Sequence, residues 1–171
     1  MPDLFFAWLA VPLAFYILLS GVDDLWMDLW WLGRRIRPRS GGRPGPRVEG
    51  AVAVWVACWR EHAVLEEMLR HNLSAIRDGD FDFFVGVYPN DPETLAAAER
   101  ARRENARIHI CETPHDGPTS KADCLNWIYQ RMLLAEEESG RRYELVVIHD
   151  AEDLIHPGSL ERIRRARSEE H

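Results

Sequence analysis

The sequence predicts an α/β fold: a parallel sheet wrapped by helices, carried behind an N-terminal transmembrane helix. Three observations lead there. Residues 4–22 carry no charge, residues 38–47 are a run of Pro, Gly, Arg and Ser, and beyond residue 49 short apolar runs alternate with stretches of helical period. The 171-residue chain thereby divides into a helical anchor at 1–33, a basic linker at 34–48 and an α/β part at 49–171. Strand alternating with helix points to a parallel sheet, because parallel neighbours need a crossover long enough to hold a helix.

The anchor comes first. Nineteen uncharged, mostly apolar residues at 4–22 are about enough to cross a ~30 Å hydrocarbon core as a helix. Pro12 is tolerable in such a helix. The "MPD" before it lacks the basic residues of a cleaved signal peptide, so the span is expected to be retained. Val22, Leu25, Trp26, Leu29 and Trp30 then fall on one helix face, an amphipathic stretch whose tryptophans suit the membrane–water interface. Six arginines follow, Arg34, Arg35, Arg37, Arg39, Arg43 and Arg47, with no acid among them. Positive charge there keeps that side in the cytoplasm, which places the N-terminus outside and the body of the chain on the cytoplasmic side.

Residues 38–47 hold three Pro and three Gly and read as a linker. After it, strands are expected at 51–56, 82–88, 107–111 and 143–149. Helices are expected at 61–76, 92–105, 119–138 and 157–167, with Pro92 opening the second and Thr119 or Ser120 capping the third. Without the six arginines the net charge of −7 becomes −13, which excludes a nucleic-acid partner. Cys58, Cys111 and Cys124 are odd in number and lack CxxC spacing, as free thiols in a reducing compartment do.

In open parallel sheets ligands bind beyond the carboxyl ends of the strands. The polar residues of this chain gather there: Trp59-Arg60-Glu61, Asn90-Asp91, and Asp150, Glu152 and Asp153 after "VVIH". Like charges this close repel, so a cation is expected to sit with them. Mg²⁺ or Mn²⁺ fits, being held by one or two carboxylates together with substrate phosphates. Alternatively, one acid caps the next helix, a role open to Asp153 or Ser159, and the others are solvated. Lys121 lies in the first turn of a helix, where anions are favoured over cations, which makes sense beside an anionic ligand or as a plain surface lysine. His149 and His156 flank the acids. Strand alternation turns the first away from Asp150, and the second, beside Pro157, shapes a turn. Neither a G-x-x-x-x-G-K-[ST] loop nor a G-x-G-x-x-G turn occurs.

The order "VAVWVACWREHAVLEEML", "VGVYPNDPETL", "GPTSKADCLN" and "VVIHDAEDLIHP" resembles family 2 glycosyltransferases of the GT-A fold, most of all the membrane-anchored bacterial type tied to phage adsorption. The likeness spans residues 1–165. It implies a Rossmann-like parallel sheet, a nucleotide-diphosphate sugar donor (a UDP-sugar above all) and Mg²⁺ or Mn²⁺. By the same resemblance, Ala57 to Glu61 cradle the nucleoside, with Ala57 and Arg60 where Pro and Asn are usual. Asp91 contacts the uracil base. Lys121 and Asn126 lie near the nucleotide in a K-A-x-x-L-N pattern. Asp150 opens the D-x-D motif that binds ribose and metal, and Glu152, with Asp153 next to it, stands at the second position.

The family's catalytic base and acceptor-binding motif lie well downstream of D-x-D, so no catalytic residue is identified and the acceptor half is expected to be missing. The chain reads as the donor-binding half of a hexosyltransferase, truncated or split, whose partners are the membrane and a downstream half or outer-envelope protein. Two alternatives stand beside it: a non-catalytic membrane-anchored adsorption module, and another metal-dependent phosphoryl enzyme.

Overall fold

The computed structural model describes residues 2–36 and 50–167. Most of the 34–48 linker, with Arg37, Arg39, Arg43 and Arg47, lies outside the described residues. The chain separates into two units, Met1–Arg43 and Pro44–His171.

The first unit is one helix, α1 (Pro2–Ile36), with Pro12 inside it. It runs without a break past Asp23 and Asp24, where the sequence passes from charge-free to amphipathic; nothing at that boundary interrupts backbone hydrogen bonding, and a lone Gly21 costs a helix only about 1 kcal/mol. Its stretch Ala10–Gly33 is long and apolar enough to cross a membrane by length and composition. Its described side chains are exposed, among them Leu18, Trp26 and Trp30.

The second unit alternates β1 (Ala51–Ala57), α2 (Leu65–Ala75), β2 (Phe81–Val87), α3 (Pro92–Glu104), β3 (Ile108–Glu112), α4 (Lys121–Ser139), β4 (Tyr143–His149) and α5 (Ser159–Arg167). The strands form one parallel sheet in the order β3-β2-β1-β4. Strand alternation sorts the core into two layers. Val52, Val54 and Val56 of β1 meet Leu65, Met68 and Leu69 of α2 and Ala98 and Ala101 of α3 on one face. Ala53 and Phe84 meet Cys124, Ile128 and Met132 of α4 on the other. Helix α4 lies so close over β2 that a Cβ at Gly86 would overlap Cys124 and Ile128, so glycine is required there by contact.

Two helices start later than the sequence pattern suggests. Helix α2 begins at Leu65, not 61; residues 61–64 form a turn in which the Val64 and Leu65 N–H groups donate to the Glu61 carbonyl, and the Glu61 N–H donates to the Thr94 hydroxyl at 3.0 Å. Helix α5 begins at Ser159, after a turn in which the Gly158 N–H donates to His156 Nδ1 at 3.2 Å. Arg164 of α5 is fully buried, and its guanidinium donates to Asp78 Oδ2 at 2.6 Å, to the Asp80 carbonyl at 2.7 Å and to the Gly50 carbonyl. That fan of bonds pins α5 to the segments that lead into β1 and β2.

Candidate functional site

From β1 the chain moves outward to β2 and β3, then returns to place β4 on the other side of β1. The winding reverses between β1 and β4, and their carboxyl ends flank a crevice of the kind in which open α/β sheets bind ligands. The β1 side is the loop from Cys58 to Val64. The β4 side is the loop from Asp150 to Gly158. Between them sits the start of α4.

The β1 loop is stitched to α3. Asp91 caps that helix, its Oδ1 accepting from the Thr94 N–H at 3.4 Å, while its Oδ2 accepts from the Arg60 N–H at 2.6 Å. Arg60 has φ 60°, a left-handed conformation that side chains rarely adopt, and the Asp91 bond holds it there. Trp59 meets Tyr88 edge to face at 5.4 Å. Both rings press on Gly117, whose N–H donates to Asn90 Oδ1 at 2.8 Å and whose carbonyl accepts from Asn90 Nδ2 at 2.6 Å. Glu61 lies in the same loop and is half-buried.

Helix α4 opens at Lys121 with Ser120 as its cap, the Ser120 hydroxyl accepting from the Asp123 N–H at 3.2 Å. Thr119, the other candidate cap, bonds the Tyr88 hydroxyl and Asp123 Oδ2, each at 2.8 Å. Lys121 Nζ is ion-paired with Asp150 Oδ1 across the crevice, both side chains at least half exposed. The structure thus joins two sequence candidates that lie far apart in the chain. Asn126 is exposed on the second turn of α4.

The acids of the β4 loop differ in their surroundings. Ala151 and Ile155 are buried pegs, and Asp150 and Glu152, either side of Ala151, are exposed. Asp153 turns back instead: its Oδ2 accepts from the Asp150 N–H at 3.0 Å and lies 3.1 Å from His149 Nδ1. The Asp150 N–H, then the His149 contact, hold the Asp153 carboxyl below the usual carboxylate range. Among the described residues no three His, Cys, Asp or Glu side chains converge as a ready-made metal cage. Asp150 and Glu152 instead offer the one or two carboxylates that Mg²⁺ or Mn²⁺ takes when substrate oxygens complete the shell.

From the sequence, Asn90 is named only among the polar residues beyond a strand end, and Asn72 is not reached. Asn90 clamps Gly117, and Asn72, fully buried in α2, grips the β4 loop through Asp153 and Ile155. The signal for Asn72 was its place on the apolar stripe with Leu65, Met68, Leu69 and Ile76, since a buried amide must find partners.

Residues 46–171 match the family model described as "Glycosyltransferase like family 2". Bacteriophage adsorption protein B of Escherichia coli (strain K12) is 34% identical over 176 residues, as is Bacteriophage N4 adsorption protein B of Escherichia coli O157:H7. The match takes in 92% of this chain and 23% of either relative, so the chain spans about a quarter of their length. Among solved structures, the mannosyltransferase PcManGT from Pyrobaculum calidifontis in complex with GDP-Man and Mn²⁺ shares the fold. Its TM-score is 0.60 at 20% identity, over 87% of this chain and 40% of that one. The parallel sheet, its flanking helices and the match from residue 46 to residue 171 agree: the chain belongs to the glycosyltransferase family 2 group.

Proposed function

We propose that this chain binds the nucleotide-diphosphate end of a sugar donor, a UDP-sugar, and serves a hexosyl transfer at the cytoplasmic face of a bacterial inner membrane, anchored there by α1. The observation that carries the reading is the juxtaposition of Lys121, at a helix N-terminus, with the exposed Asp150 and Glu152 across the switch-point crevice. A helix N-terminus with a lysine favours phosphate oxygens.

The carboxylates of Asp150 and Glu152 are the groups to hold Mg²⁺ or Mn²⁺ with the diphosphate. When bound, such an ion offsets the charge that gathers on the departing nucleotide. Asp153 is assigned to shaping the turn, since its Oδ2 already serves the Asp150 N–H and His149. With donor bound, Asp150 would hold the ion in place of its ammonium partner, and Lys121 would be free to pair with the phosphates. An exposed ion pair is worth about 0–1 kcal/mol, so that exchange meets little resistance. The Trp59 to Glu61 loop and Asn126 line the nucleoside, and Asp91, with lone pairs beyond those used by Arg60 and Thr94, faces the base. No residue of the chain is assigned as the base that deprotonates an acceptor.

The relatives are named adsorption proteins, which favours a second reading, a non-catalytic membrane-anchored adsorption module. Calorimetry on the full chain in detergent micelles separates the two. UDP is expected to bind with Mn²⁺ or Mg²⁺ present and to be lost with a chelator, and to bind more tightly than GDP. Absent or metal-independent UDP binding would sink the donor reading; equal UDP and GDP affinities would remove only the choice of uridine.

A further inference from the structure

Asn72 is fully buried in the apolar stripe of α2, where a leucine would satisfy the packing. A buried amide without partners costs free energy, so its presence calls for a use. Its side chain spends both ends on one segment. Nδ2 donates to the Asp153 carbonyl at 2.8 Å, and Oδ1 accepts from the Ile155 N–H at 2.9 Å. Nδ2 also lies 3.1 Å from the Met68 sulfur, a weak acceptor. A primary amide that grips a C=O and an N–H two residues apart imitates a neighbouring strand, and it fixes the backbone between them as a rung of a parallel ladder does.

The gripped segment follows directly on the acids. Ala151 and Ile155 are sunk into the core, while Asp150 and Glu152 stand out on either side of Ala151. Two apolar pegs limit how far the loop can move but leave its rotation about them loose. The amide removes that freedom at Asp153 and Ile155, and Asp153 passes the constraint on through its hold on the Asp150 N–H. We infer that Asn72 is a positioning residue that sets the angle of Asp150 and Glu152 toward the metal–diphosphate end of the donor. The inference rests on the donor-binding reading above.

Asn72→Leu keeps the branched shape, at a larger volume, and removes both bonds; Asn72→Asp keeps the acceptor for the Ile155 N–H. The full chain in detergent micelles is titrated with UDP and Mn²⁺ by calorimetry, and amide hydrogen exchange is followed without ligand. Removing a group that orients metal ligands typically weakens metal affinity 10–100-fold. Asn72→Leu is therefore expected to bind UDP with Mn²⁺ at least about tenfold more weakly, with Asn72→Asp between it and the unsubstituted chain. Amides from Asp150 to Ile155 exchange faster, while those of β1 and β2 keep their protection. Unchanged affinity in Asn72→Leu, or faster exchange spread through the whole sheet, overturns the positioning role alone. If the unsubstituted chain shows no Mn²⁺-dependent binding, the donor reading fails and this inference falls with it.

Discussion

The loops after β1 and β4 face one crevice, yet they are built on opposite terms. On the β1 side the fixing carboxylate, Asp91, is buried, and its oxygens are given to the Arg60 and Thr94 amides. Around it Trp59, Tyr88, Asn90 and Gly117 close on one another. On the β4 side the holding group, Asn72, grips backbone from beneath, and the carboxylates of Asp150 and Glu152 are left in solvent. The difference teaches that a carboxylate's identity says little about its work. Burial and partners decide: Asp91 is architecture first, whereas Asp150 holds only an exposed ammonium that a ligand can replace.

The largest expected effect tests the closed loop. Asp91→Ala removes a helix cap, worth about 0.5–2 kcal/mol. It also removes the part-buried hydrogen bond from the Arg60 N–H to a charged carboxylate, a bond of a kind worth about 1.5–3 kcal/mol. A loss of about 2–4 kcal/mol in urea unfolding is therefore expected. A loss below about 0.5 kcal/mol, the range of ordinary surface substitutions, would mean that the two loops are held alike.

A smaller effect sharpens the contrast through pH. Burial, then the neighbouring Cys124, Glu61 and Asp91, push the Cys58 thiol far up; burial pushes Cys111 up to about 12. In the unfolded chain thiols ionise near pH 8.5, while in the folded chain they stay neutral. A raised folded value contributes stability that is whole below the unfolded value and is lost as pH rises beyond it. Denaturant midpoints should therefore hold to about pH 8 and fall by about pH 10, and Cys58→Ala should lessen the fall. A flat profile in the unsubstituted chain would contradict the closed, dry setting of the β1 side.

The smallest effect belongs to the open loop. Asp150→Asn is expected to leave unfolding within about 0.5 kcal/mol of the original, as exposed ion pairs contribute little. The same substitution should abolish metal-dependent UDP binding. A markedly less stable Asp150→Asn chain would break the comparison from the other side.

Much of this was legible along the chain, because the forces that make elements are local. Short apolar runs at 51–56 and 143–149 place strands, and Pro92 marks the start of α3. Lys121 in a first turn and Asp150 beyond the last strand stand out in the sequence as two separate charges, and the structure pairs them. What tertiary structure alone decided is how distant segments share space. The strand order that makes β1 and β4 neighbours, the Lys121–Asp150 pair, the Arg164 guanidinium sunk against Asp78 and Asp80, and the Asn72 grip on Asp153 and Ile155 each join residues at least 29 positions apart. Even the turn ahead of α2 is tied to another helix, the Glu61 N–H donating to Thr94 of α3. Local periodicity reports which face of an element is apolar, but hydrogen bonds across the fold depend on where the packed layers bring their ends together, and no local pattern encodes that distance.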